Sequence, residues 1–182
     1  EIDLARMIAD KLSVAWKPII IEMSDDFLKN DDERCYYCKK AILENMSKIK
    51  NEENIDVIFD GTNYDDLNDH RPGMKALMEY GVISPLKENK IGKAFIRKEI
   101  TSTPLNGIKF YNESCIATRL IGMRIDSNLL RKIEKTEDLL RERFEGLRLR
   151  VKEKKVTPEL KSGAPLKQSD INYIINVYNS LF

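Results

Sequence analysis

Cysteine occurs at only three positions of this sequence, 35, 38 and 115. Two form a Cys-x-x-Cys pair in Arg34-Cys35-Tyr36-Tyr37-Cys38-Lys39. The third stands alone in Ser114-Cys115-Ile116-Ala117-Thr118-Arg119. Three soft thiolate ligands are one short of closing a tetrahedral metal site. They suit an iron–sulfur cluster with one iron left open to an exogenous ligand. Structural zinc wants four ligands, and only His70 is available as a fourth. A thioredoxin-like redox pair, or two idle buried thiols, are the other readings of Cys35 and Cys38. Cys115 by itself would ordinarily be a core cysteine, but Thr118 and Arg119 beside it favour a chemical role.

Charged residues supply the next candidates. Asp60, Asp65, Asp66 and Asp69 fall within ten residues. Such acids either solvate a loop and cap the next helix, or face Mg²⁺ and substrate at the end of a strand. Arg71 can clamp a phosphate or carboxylate, or serve a surface ion pair. Arg148 and Arg150 recur at period two, so they share one face of a strand. Two adjacent guanidiniums are costly unless an anion lies between them or water solvates the face.

The elements that must position these residues follow from periodicity. Ala5, Ile8, Ala9 and Leu12 predict a helix over 2–12 with one buried stripe. Pro18–Ile21, Ile55–Phe59 and Val82–Leu86 read as short buried strands. Ser24–Glu33 and 61–73 read as polar loops. Helices are expected from the cysteine pair through Ile49, over Met74–Tyr80 with Gly81 at its end, and over 91–100. This alternation favours a parallel α/β sheet covered on both faces. After Cys115 the pattern changes. Asp126 or Ser127 caps a helix through Leu140, Leu147–Val151 is a half-exposed strand, Lys152–Pro165 is loop or ragged strand, and 169–182 is a last helix. The expected division is 1–114 and 115–182.

Composition bounds the partners. The 182 residues carry a net charge of +1, with 42% hydrophobic and 34% charged residues. No global field favours nucleic acid or an anionic membrane. No apolar run approaches the roughly 20 residues of a membrane span. An odd cysteine count without a visible secretory signal points to a reducing, cytoplasmic setting.

Arg34-Cys35-Tyr36-Tyr37-Cys38-Lys39 resembles the RCYxCK motif of LarE-type sulfur transferases of the PP-loop ATP pyrophosphatase superfamily. Asp60-Gly61-Thr62-Asn63-Tyr64-Asp65-Asp66-Leu67, followed by Asp69-His70-Arg71-Pro72-Gly73, is similar to their DGTNxDDLxDxRPG. Val82-Ile83-Ser84-Pro85-Leu86, Cys115-Ile116-Ala117-Thr118-Arg119 and the Arg148/Arg150 strand also resemble segments of that family, in the same order. The resemblance covers about residues 1–151.

It implies a Rossmann-like parallel sheet with a smaller mixed lobe. It also implies an enzyme that uses ATP and Mg²⁺ to adenylate a carboxylate of pyridinium-3,5-biscarboxylic acid mononucleotide. Sulfur then displaces AMP, on the way to a nickel-pincer cofactor. Cys35, Cys38 and Cys115 would hold a [4Fe–4S] cluster, or Cys115 would be the sacrificial sulfur donor. Asp60, Gly61, Thr62 and Asn63 would line the nucleotide side. Arg71, Arg119, Arg148 and Arg150 would bind the small, nucleotide-like substrate's anions, and Glu137 is a further metal candidate. A homo-oligomer is expected. The family's SGGxDS phosphate loop is not found in residues 1–182, so it lies upstream or is borrowed from a partner. A tRNA thiolase of the same superfamily and a non-catalytic metal-binding scaffold are the alternatives.

Overall fold

Helix α1 (Ile2–Leu12) forms where the apolar spacing predicts it, but of its residues only Ala9 is fully buried. The computed structural model describes residues 2–68, 72–108 and 114–181. The chain divides into two units, Glu1–Ser24 with Cys35–Tyr111, and Asp25–Arg34 with Asn112–Phe182. The protein is a mixed α/β chain, mostly helical. Its one sheet among the described residues has two antiparallel strands. No helix among them is long and apolar enough to cross a membrane.

The first unit holds α1, nearly all of α3 (Arg34–Glu52), a 3₁₀ turn at Tyr64–Asn68, α4 (Gly73–Glu79), α5 (Pro85–Glu88) and α6 (Lys93–Ile100). Its core is small. Leu43 of α3 meets Ala76 and Leu77 of α4, flanked by Met46, Ile58, Met74 and Val82. Gly81 ends α4 at φ +61, where a side chain would be strained, and the N–H of Val82 turns back to Leu77 O at 2.9 Å.

The three strands expected in this unit are not formed. Residues 18–21 adopt no regular secondary structure, and among the described residues they make no backbone–backbone hydrogen bond. Ile20 is 96% exposed. The segments 55–59 and 82–86 reduce to one parallel bridge, Phe59 with Ile83. Ile83 N–H reaches Ile58 O at 3.0 Å and Asp60 N–H reaches Ile83 O at 3.1 Å. A strand exists through its neighbours' N–H and C=O groups. Here each segment has at most one neighbour, and Pro85 converts the chain to helix two residues after the bridge. Between residues 15–19 and 55–59 lies an open groove of about 590 Å³, walled by Trp16, Ile19, Met46, Ile49, Ile55 and Phe59.

The second unit is better packed. Helix α7 (Ser127–Leu140) starts where Asp126 Oδ1 accepts the N–H groups of Asn128 at 2.8 Å and Leu129 at 3.0 Å. Strand β1 (Leu147–Lys152) alternates buried Leu147, Leu149 and Val151 with the two arginines. The expected ragged segment after it is a true strand, β2 (Lys155–Leu160), in register Leu149↔Pro158 and Lys152↔Lys155. Pro158, which carries no N–H, is tolerated on an edge strand. Helix α8 (Gln168–Ser180) closes a core of Leu120, Ile133, Leu140, Phe144, Leu149 and Ile174.

The expected loop at Ser24–Glu33 contains a short helix, α2 (Asp25–Leu28). The segment 25–34 belongs to this second unit because Asn30 anchors it there. Asn30 is buried at φ +61, a conformation its short polar side chain tolerates. Its Nδ2 donates to Leu120 O at 2.8 Å and Met123 O at 2.9 Å, and its Oδ1 accepts Arg34 Nη1.

Candidate functional site

The cysteine pair occupies the start of α3. Three positions apart on a helix, Cys35 and Cys38 lie on the same face, one turn from each other. Cys35 is exposed, Cys38 half-buried, and no cysteine of the chain is in a disulfide. Tyr36, one of the two residues between them, is fixed to α4. Tyr36 donates its hydroxyl to Glu79 Oε2 at 2.9 Å, and Lys75 Nζ stands 4.9 Å from its ring centroid. The Glu79 hydrogen bond pushes the Tyr36 pKa up. Helix α4 begins hard against this turn, since a Cβ on Gly73 would come 3.2 Å from Cys35 O.

The acidic motif folds largely onto itself. Asp60 Oδ1 accepts Ser84 Oγ at 2.6 Å, and Asp60 Oδ2 accepts the Thr62 hydroxyl. Partial burial pushes the Asp60 pKa up. The bonds from Ser84 and Thr62, helped by the Lys39 charge, outweigh that and hold it below the usual aspartate value. Asp66, 5% exposed, accepts Asn63 N–H and Nδ2 and pairs with Lys93 Nζ at 3.0 Å. Asp69, His70 and Arg71 lie outside the described residues.

Cys115 stands exposed at the entrance of a 3₁₀ turn, Ile116–Arg119. Its carbonyl accepts Thr118 N–H at 3.0 Å and Thr118 Oγ1 at 2.7 Å. Beneath the turn, Arg119 is 3% exposed and paired with Glu137, 7% exposed. Strand β1 is tied to the same turn. Arg150 Nη1 donates to Thr118 O at 2.7 Å while its Nε donates to Glu159 Oε1 at 2.7 Å. The side chain of Arg148, half-buried on the same strand face, makes no hydrogen bond or ion pair among the described residues.

The second unit thus brings Cys115, Arg119, Glu137 and Arg150 into one hydrogen-bonded network. The first gathers Asp60 and Thr62, with Gly61 and Asn63 on the same loop. Cys35 and Cys38 belong to the first unit and Cys115 to the second. Within either unit, no group of three or more His, Cys, Asp or Glu side chains is arranged to hold a metal, among the described residues. Sequence reasoning missed Ser84, fully buried on Asp60, and Lys93, which pairs with Asp66. Thr118, read from the sequence only as a neighbour of Cys115, links that residue to Arg150. Thr118 carried a signal, because a hydroxyl three residues after a turn's first carbonyl is placed to bond it.

No protein-family model matches the chain. An uncharacterized protein of Methanocaldococcus jannaschii is 41% identical over 123 residues, 67% of this chain and 48% of that protein. An uncharacterized protein of Synechocystis is 30% identical over 120 residues, 64% of this chain and 44% of its own length. The match thus spans under half the length of these curated relatives. Pyridinium-3,5-bisthiocarboxylic acid mononucleotide synthase of Lactiplantibacillus plantarum is 32% identical over 99 residues, 53% of this chain and 36% of that enzyme. The chain is therefore similar, distantly and over part of its length, to a LarE-type synthase.

Proposed function

We propose that this chain is part of an ATP-dependent sulfur transferase that converts a carboxylate of a mononucleotide to a thiocarboxylate. The observation that carries the reading is Cys115. It is an exposed thiol on a tied-down turn, and that turn is bonded to Arg150, the strand neighbour of the unpaired Arg148. The name of the Lactiplantibacillus relative states a bisthiocarboxylic acid mononucleotide as its product. An anionic substrate suits a half-buried guanidinium with no counterion of its own.

In this reading the substrate carboxylate attacks the α-phosphorus of ATP and pyrophosphate leaves. A sulfur nucleophile then attacks the acyl carbon and AMP leaves. Arg148 and Arg150 hold the substrate's phosphate or second carboxylate, and Arg71 adds to this. Asp60 to Asn63 face the nucleotide and its Mg²⁺. Arg119 holds the turn that carries Cys115. The phosphate-cradling loop comes from outside residues 1–182. The Phe59–Ile83 bridge and the unpaired segment 18–21 support a parallel sheet whose remaining strands seat in the groove between them.

Cys35, Cys38 and Cys115 are the residues that would hold a [4Fe–4S] cluster. The donor set fits, with three thiols outside any disulfide, two of them exposed and two on one helix face. When bound, the cluster supplies sulfide at an open iron. A thiolase acting on RNA is the second reading, favoured by exposed Lys152, Lys154 and Lys155 at the hairpin tip.

The test is to incubate the full gene product with ATP, Mg²⁺ and pyridinium-3,5-biscarboxylic acid mononucleotide and to follow products by mass spectrometry. AMP, pyrophosphate and a product with oxygen exchanged for sulfur are expected. Cys115 remaining intact fits cluster-held sulfide. Dehydroalanine at 115 shows that Cys115 itself gave the sulfur. ATP left uncleaved, with no thiocarboxylate formed, overturns the proposal.

A further inference from the structure

Arg119 and Glu137 meet in a two-pronged pair, Nε to Oε1 and Nη2 to Oε2, both at 2.9 Å. Both side chains are nearly inaccessible, at 3% and 7%. Glu137 Oε1 also accepts the N–H of Leu149 at 2.8 Å, so the carboxylate is fixed to the backbone of β1. That leaves the third nitrogen of the guanidinium. Nη1 reaches Ser114 Oγ at 2.8 Å, Ser114 O at 3.3 Å and Thr118 Oγ1 at 3.4 Å. One arginine therefore grips the chain on both sides of Cys115 and is itself held by a buried acid on α7.

Stability alone is a poor reason for such an arrangement. Taking two charges out of water costs several kcal/mol per ion, and apolar replacements of buried pairs are often neutral or stabilising. What an apolar pair cannot do is donate to Ser114 and Thr118. Among the described residues, the groups that bond to the charged pair, beyond each other, are the Leu149 N–H and the residues flanking Cys115.

We infer that Arg119 and Glu137 are positioning residues for Cys115: the pair fixes the backbone of the turn on which the exposed Cys115 stands. The inference rests on the reading of Cys115 as a sulfur-handling residue. Its structural part can be measured without any activity.

The test uses the full gene product with the double variant Arg119→Met/Glu137→Leu, and Arg119→Lys as a milder second variant. The double variant removes both charges together, so no buried charge is left alone. Amide hydrogen exchange is read at Thr118, whose N–H is bonded to Cys115 O, and in α7 and α8 as a control for the fold. The expected result is α7 and α8 protection within a few-fold of the parent, with Thr118 exchanging at least tenfold faster. Sulfur transfer should fall at least tenfold in kcat with KM little changed. Arg119→Lys keeps the charge but loses the fork, and should fall between. Parent-like Thr118 protection in either variant, or parent-like kcat in the double variant, overturns the inference. Faster Thr118 exchange in the double variant, together with a parent protein that transfers sulfur to no substrate, would instead leave the positioning intact and sink the functional reading.

Discussion

Asp65 Oδ2 accepts the main-chain N–H of Lys93 at 2.6 Å, so an acid 28 positions upstream caps the first turn of α6. The helix cannot do this for itself, because its N-cap residue is Gly92 and offers no side chain. The fit is close: a Cβ on Gly92 would lie 2.8 Å from Asp65 Oδ1. Two acids of the loop, Asp65 and Asp66, are thus engaged with the start of α6, which separates their role from that of Asp60.

Asp65→Ala should destabilise the first unit by about 1 kcal/mol, the usual cost of losing a cap. Gly92→Ala should push the Asp65 carboxylate off the Lys93 N–H and cost about 1 kcal/mol through the same lost cap. The two share one contact, so the double variant should cost less than their sum. Urea unfolding of the three variants checks this, and strict additivity would mean that the pair does not interact.

Asp60 carries a pH dependence of known sign. Its folded pKa is depressed, so the carboxylate's contribution is fully present above the ordinary aspartate value of about 3.9. It is lost as pH falls below that value and through the folded pKa. Asp60→Asn should remove this dependence. The stability difference between parent and variant, followed by denaturant titration from neutral pH downward, should therefore shrink in the acid range. A difference that grows on acidification would contradict the assignment.

Arg148 and Arg150 should part company in stability. Arg150 links β2 to the Cys115 turn through Glu159 and Thr118, whereas Arg148 has no such partners. Arg150→Ala should cost about 1–2 kcal/mol, discounted because Glu159 is part-exposed. Arg148→Ala should stay within about 0.5 kcal/mol. Both should weaken binding of the anionic substrate, by about 1.5–3 kcal/mol for a lost charge-assisted bond. Isothermal calorimetry beside thermal unfolding separates the two effects. Equal stability losses in both variants would refute the distinction.

Two isoleucines report the contrast between the units. Ile133 is fully buried and Ile20 is 96% exposed. Ile133→Ala should cost about 3 kcal/mol and Ile20→Ser less than about 0.5 kcal/mol in the 182-residue chain. Chemical denaturation of both variants measures this directly.

Helices were the most legible part of the sequence. The Asp126 cap and the Gly81 stop each depend on neighbours in sequence, and each is found in place. Strands were less legible. Pro18–Ile21 has the right residues, yet a strand is defined by lateral partners that local composition cannot supply. The hairpin partner β2 was obscured for the opposite reason, since Pro158 argues against a strand until its edge position is known. At the candidate site, the family resemblance pointed to Cys115, Arg119 and Glu137 separately. Their bond could not be read, because the helix that brings Glu137 beneath the turn begins eight residues after Arg119.

The most direct measurement is iron content after anaerobic reconstitution of the full gene product with iron and sulfide. About four irons per chain are expected, with the broad visible absorption of a cluster. Cys35→Ala, Cys38→Ala and Cys115→Ala are each expected to abolish this binding, since the proposed cluster takes one ligand from each. A protein that retains no iron, or one whose iron content is unchanged in Cys115→Ala, would contradict the three-cysteine site.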